Sequence, residues 1–233
     1  MEKREKEEDT PVSAAVHSVD DMRNSNPAYF THVLSKARTV GIHPQFGYEA
    51  VCGGYLLQQN PQELAALVAY LKQRPNGLGT YVEIGTASGG TLRFLYEELK
   101  AERLLSIDNG EHEHAGYQRE NLAGILLTRF VGDSHGQEAR EALKAWASGE
   151  AVVDVAFIDG DHSREGLLQD FHLVRPYLTP NAIVILHDTT AVPAVADALR
   201  QLLQERRVTV IANFVAPDNA PPAFGITVCE VLP

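Results

Sequence analysis

The sequence predicts an α/β protein built on a doubly wound, seven-stranded, mostly parallel sheet with an antiparallel last strand, preceded by a helical addition. Three observations predict it. From Gly77 onward, short apolar runs alternate with amphipathic helical patterns. The first run, Thr80–Ile84, stops at a Gly-rich turn that opens a helix. The last two runs are joined by Val215–Pro222, too short and too Pro-rich for a crossover helix, so they form an antiparallel pair.

The elements follow in order. Residues 1–10 are a mixed-charge stretch with no apolar segment and read as a disordered tail, not a signal peptide. Residues 11–76 read as an N-terminal helical cap. Within it, Asn26 caps a helix that has Pro27 at its first position and runs to Val40. Gly41–Tyr48 is a Gly- and aromatic-rich loop. Asn60 caps a second helix with Leu64, Leu67, Val68 and Leu71 on one face. Two readings stand for this part: a cover over an active site, or plain packing on the sheet edge. Phe46, Tyr48 and Tyr55 divide the same way, between walling a substrate and packing the helices.

Residues 77–233 form the main domain. Its expected strands are Thr80–Ile84, Arg103–Ile107, Leu126–Val131, Val153–Ile158, Ala182–Leu186, Val208–Phe214 and Phe224–Val231. Helices begin near Ser88, Glu113, Gln137, Arg164 and Pro193.

Composition narrows the function classes. The chain of 233 residues is 44% hydrophobic and carries a formal net charge of −11. An acidic chain without a basic run lacks the clustered Lys and Arg that bind phosphate backbones, so neither nucleic acid nor an anionic membrane is expected as a partner. No apolar run approaches the roughly 18 residues of a membrane span. Cys52 and Cys229 are far apart and outside any zinc-type spacing, which reads as two reduced thiols in an intracellular, cytoplasmic protein. A homo-oligomer stays open.

Carboxylates recur where the strands stop. Glu83 closes the first and Asp108 the second; Asp133 and Ser134 follow the third, Asp159 and Asp161 the fourth, His187 and Asp188 the fifth. Any one could be a helix cap. Five in succession on the same sheet edge would line one cleft, beyond the carboxyl ends of the strands where small ligands bind. An acid ending the second strand suits both hydroxyls of a ribose. An Asp-Ser pair after the third suits the amine and ring nitrogen of an adenine. The first turn, Glu83 to Gly89, is Glu-x-Gly-x-x-x-Gly, not the Gly-x-Gly-x-x-Gly that cradles a pyrophosphate. Such a turn is also common as a mere tight turn. An acidic cleft favours a cation, such as a sulfonium bearing an ammonium group, over a phosphate.

Tyr81–Gly89, Leu105–Asp108 and Val131–Ser134 resemble the cofactor motifs of class I S-adenosylmethionine-dependent methyltransferases. Val153–Gly166 with Asp170, and Ile183–Thr189, resemble one branch of them: small metal-dependent O-methyltransferases of catechol type, and relatives that modify sugars of natural products. The match spans about residues 78–233 and implies a Rossmann-like fold. It implies that Glu83, Gly85 and Ser88 surround the methionine end of S-adenosylmethionine, that Asp108 holds the ribose, and that Asp133 and Ser134 hold the adenine, with Asp159 counted among the cofactor-binding residues. It implies that Asp159 and Asp188 bind a divalent metal, with His187 offered as a third ligand. His162, three residues after Asp159, stands where the sugar-modifying members carry their general base and the catechol enzymes a Lys. Thr189 stands where catechol enzymes have Asn, and His187 where the sugar enzymes have Glu. Two hard oxygen donors with waters suit Mg²⁺. The residues themselves leave Asp159 and Asp188 open as caps, and His162 as a solvated helix-start residue.

The expected activity is methyl transfer to a hydroxyl of a small acceptor, a sugar or polyol group of a specialised metabolite. The alternative is a protein that binds S-adenosylmethionine without catalysis. A nicotinamide-dependent oxidoreductase is disfavoured by the absent Gly-x-Gly-x-x-Gly.

Overall fold

The computed structural model describes residues 16–40, 55–217 and 222–233. The expected tail at 1–10, the Gly41–Tyr48 loop with Phe46 and Tyr48, Cys52, and residues 218–221 lie outside the described residues.

Seven strands form one sheet in the order β3-β2-β1-β4-β5-β7-β6. They are β1 Thr80–Ile84, β2 Arg103–Asp108, β3 Thr128–Val131, β4 Val153–Ile158, β5 Leu178–Leu186, β6 Val208–Phe214 and β7 Ile226–Val231. β1 to β5 are mutually parallel, and β7 inserts between β5 and β6, antiparallel to both. The order reverses at β1, so the β1 and β2 ends and the β4 end face one crevice. The expected third strand starts later, at Thr128; Leu126 is 93% exposed and precedes it.

Side-chain alternation splits the sheet into two cores. Tyr81, Val155, Phe157, Ile183, Ile185 and Val228 face one side. Val82, Ile84, Ala156, Ile158, Val184 and Leu186 face the other. Helices α6 (Gln137–Trp146), α7 (Arg164–Val174) and α8 (Pro193–Gln204) supply the second core. Helices α1 (Val19–Ser25), α2 (Pro27–Val40), α3 (Pro61–Leu71) and α4 (Gly90–Leu99) supply the first.

The residues before the sheet are therefore packed into its first core. Asn60 caps α3 as its sequence predicts, its Oδ1 accepting from the Gln62 and Glu63 amides at 2.9 and 3.4 Å. Nine of the eleven α3 residues are buried, because α3 is apolar on nearly every face and lies between α2 and the sheet. Glu63 is the polar exception; its carboxylate accepts from the Ala216 and Gly225 amides at 2.9 and 3.0 Å, tying α3 to the loop between β6 and β7. Helix α1 was not expected, yet its signal is legible. Ser18 and Asp21 form a capping box, with Asp21 Oδ2 accepting from the Ser18 amide at 2.8 Å.

The helix expected near Glu113 shortens to a single 3₁₀ turn, Ala115–Tyr117, and α5, Gln118–Asn121. Gly116 is a poor helix former. Gln118 and Asn121 also spend their amides on loop carbonyls, donating to Ala87 O at 2.6 Å and Ser88 O at 2.7 Å.

The start of α4 is set by close approach. A Cβ on Gly90 would lie 1.7 Å from the Leu56 carbonyl oxygen. Gly90→Ala must push residues 55–57 away, an overpacking cost of about 1–3 kcal/mol. Denaturant unfolding should show that loss, with affinity for ligands of the crevice falling alongside it.

Candidate active site

The β1–α4 turn is shaped by glycine. Gly85 has φ +84°, and a Cβ there would meet the Asp159 carbonyl oxygen at 2.0 Å. Only glycine allows β1 and β4 to end in such contact. Asp108, at the end of β2, braces the same turn: Oδ2 accepts from the Ala87 amide at 2.8 Å, and Oδ1 from the Gly110 amide at 2.8 Å and Gln118 Nε2 at 3.2 Å. Ser88 donates its hydroxyl to Leu56 O at 2.9 Å.

Beyond this turn lie two adjoining chambers. The larger, about 450 Å³, is lined by Gly85, Asp108, Asp133, Ser134, Asp159 and Asp161 among others, with no Lys or Arg. The smaller, about 230 Å³, is lined by Gln58, Gln59, Ser88, His162, His187 and Asp188 among others. Gly85, His112 and Asp159 border both. An acidic chamber without Lys or Arg among its described lining residues disfavours a phosphate and favours a cationic ligand.

In the smaller chamber, carboxylates and imidazoles alternate. His162 Nε2 lies 3.1 Å from Asp188 Oδ2 and 3.4 Å from Asp159 Oδ1. His187 Nδ1 spans the same two groups, 3.0 Å from Asp159 Oδ1 and 3.3 Å from Asp188 Oδ2. Burial opposes a charge on Asp159, but His187 and His162 outweigh it and hold the carboxyl well below the usual range. Hydrogen bonding to Asp159 raises His162 against the effect of burial. Burial also opposes a charge on His187, and the two carboxylates push it up to about 10. The His187 ring stacks near Phe157 at 6.3 Å between centroids and meets Phe224 at 5.5 Å. Asp188 sits at φ +58°, a conformation that Asp and Asn adopt more readily than other residues.

The donor set fits a divalent cation. Asp159, His162 and Asp188 offer ligand atoms that all lie within 4.8 Å of one another. His187, expected as a third ligand, is not one of these three; its Nδ1 faces Asp159 Oδ1 and Asp188 Oδ2 from the buried side.

Asp108, Asp133, Ser134, Asp159, His162, His187, Asp188, Gly85 and Ser88 all border one chamber or the other. Glu83 departs from its expectation and borders neither. It is sealed beneath the turn on the first-core face, its Oε2 accepting from the Tyr81 hydroxyl at 2.5 Å and the Thr86 side chain bonded to the same carboxyl. The strand alternation that buries Tyr81 also buries Glu83. Burial pushes its carboxyl up to about 8. The folded state then binds a proton that the unfolded state releases near 4.5, so stability falls as pH rises from about 4.5 to 8. Glu83→Gln removes that slope. Melting temperatures should match wild type near pH 5 and exceed it by several degrees at pH 9.

Sequence reasoning missed Leu56, Gln58, Gln59, Gln118 and Asn121. Gln59 Nε2 donates to Asp159 Oδ2 at 3.1 Å, and Gln58 Nε2 lies 3.4 Å from His112 Nε2 at the mouth. His112 borders both chambers. The one available signal was the Asn60-Pro61 helix start, which fixes whatever precedes it. Asp170 is fully buried 3.3 Å from His135 Nε2, and burial lifts it to about 6.

Residues 82–189 match a family model described as a methyltransferase domain. An uncharacterised protein of Acanthamoeba polyphaga mimivirus is 31% identical over 119 residues, covering 47% of this chain and 51% of that one. The chain spans about half the length of that curated relative. Among solved structures, the O-methyltransferase TomG of Streptomyces achromogenes, in complex with S-adenosylmethionine and involved in tomaymycin synthesis, is 22% identical. It covers 86% of this chain and 90% of its own, with a TM-score of 0.57. An O-methyltransferase of Bacillus cereus, in complex with S-adenosylhomocysteine, is 16% identical over 92% of this chain and 90% of its own, with a TM-score of 0.55. Those two likenesses establish the fold.

Proposed function

We propose that this chain is a class I S-adenosylmethionine-dependent methyltransferase that methylates a hydroxyl of a small acceptor, a sugar or polyol group of a specialised metabolite; the match of residues 82–189 to a methyltransferase domain supports the reading. One observation carries the reading. An acidic chamber sized for a nucleoside opens into a second chamber where His162 and His187 are held between Asp159 and Asp188.

The residues take the following roles. Asp108 accepts from the ribose hydroxyls, and Asp133 with Ser134 binds the adenine. Gly85 and Ser88 shape the methionine end, and the Glu83 carboxyl supports that turn from below. The methyl carbon is already activated by the sulfonium, so the protein must align the acceptor oxygen and take its proton. His162 takes it. With Nε2–H donated to Asp188, Nδ1 keeps the lone pair that receives the proton, and both carboxylates stabilise the imidazolium that forms. Asp159 and Asp188 would hold a divalent cation, Mg²⁺ being suited to hard oxygens. Such an ion, when bound, polarises an acceptor oxygen and lowers its pKa. His187 fastens the two carboxylates from the buried side.

The test is a thermal shift with S-adenosylhomocysteine, NAD and Mg²⁺ in turn, followed by transfer of labelled methyl to glycosides, polyols and catechols. Stabilisation by S-adenosylhomocysteine with transfer to glycosides or polyols supports the reading. Stabilisation by NAD alone rejects it.

A further inference from the structure

We propose that the carboxamide oxygen of Gln59 is a protein ligand of the divalent ion, completing an oxygen set with Asp159 and Asp188. The inference rests on the reading of those two carboxylates as an ion site.

Gln59 is 2% exposed and borders the smaller chamber. Its Nε2 donates to Asp159 Oδ2 at 3.1 Å. That contact fixes the amide's orientation, since turning it over would set a carbonyl oxygen against a carboxylate. Oε1 is thereby left as a buried acceptor with no hydrogen-bond donor among the described residues. An unmet buried acceptor costs about 1–3 kcal/mol, so such an oxygen beside the Asp159 carboxylate, in the chamber that Asp188 also borders, marks a place for a cation or a donor. The backbone there is firmly held. Asn60 caps α3 directly after Gln59, and its Nδ2 donates to Pro222 O at 3.3 Å. Leu56 O is fixed by Ser88.

The residue after Asp188 does not supply this oxygen. Thr189 Oγ1 is 2.8 Å from Thr227 Oγ1, which donates onward to Asn213 Oδ1 at 3.1 Å. Thr189 does not border the chamber. A neutral amide oxygen reaching in from the segment before α3 takes the place of one from the β5 loop. Two carboxylates and one amide oxygen form an all-oxygen set that suits Mg²⁺ or Mn²⁺ over softer ions.

The experiment is Mn²⁺ titration of the full chain, read from the electron paramagnetic resonance of free Mn²⁺, with S-adenosylhomocysteine affinity as the check on folding. Wild type should bind one ion. Gln59→Ala should weaken binding at least about tenfold. Gln59→Glu, which keeps an oxygen and adds charge, should bind as tightly as wild type or tighter. Equal binding by wild type and Gln59→Ala overturns the ligand assignment and leaves the ion site standing. Gln59→Glu as weak as Gln59→Ala also overturns it, because Gln59 would then act only through its bond to Asp159. Absence of Mn²⁺ binding by wild type overturns the ion reading itself.

Discussion

His162→Ala slows methyl transfer by about 10²–10⁴-fold, the range that one general base contributes, while affinity for S-adenosylhomocysteine stays at the wild-type level. The split follows from position. His162 borders the smaller chamber and not the larger one, and half of its side chain is exposed. Its partners are Asp159 and Asp188, both fixed independently by His187. Removing an exposed ring therefore costs the fold little, and the nucleoside chamber keeps its walls. His162→Gln should be as slow as His162→Ala, because an amide fills the space without accepting a proton. Equal losses of turnover and cofactor affinity would identify His162 as structural.

Asp188→Asn lowers turnover by about 10²–10³-fold, the scale of losing a group that offsets developing charge. Asn is the informative replacement. It tolerates the φ of +58° found at this position and keeps the side-chain shape, so the loss reports charge and not backbone strain. One carboxylate then remains to hold an ion, and His162 and His187 lose one of their two anchors. Excess chelator should bring wild type down to the level of the variant and leave the variant unchanged. Full wild-type turnover in excess chelator would exclude the role of the ion.

Much of the crevice could be read from the sequence because parallel strands deliver their last residues to one edge. Asp108, Asp159 and Asp188 each follow an apolar run, and chain direction alone places them together. Glu83 follows the same rule and still misses the cavity. Its fate is decided by strand alternation, which pairs it with buried Tyr81, a one-residue distinction that a strand-end count does not register. The segment 55–60 was opaque for a different reason. Nothing in its pattern marks Leu56, Gln58 or Gln59. They reach the site through long-range contacts that Asn60, Glu63 and Gly90 impose on the packing of α3 and α4. The abbreviated helix after β2 reflects tertiary demand overriding local propensity, since Gln118 and Asn121 serve the glycine turn.

A crystal structure with S-adenosylhomocysteine tests the central claim most directly. The nucleoside should lie in the larger chamber with both ribose hydroxyls on Asp108, its adenine beside Asp133 and Ser134, and its sulfur facing the chamber that holds His162. A ligand seated elsewhere, or one whose sulfur points away from Asp159 and His162, would contradict the account.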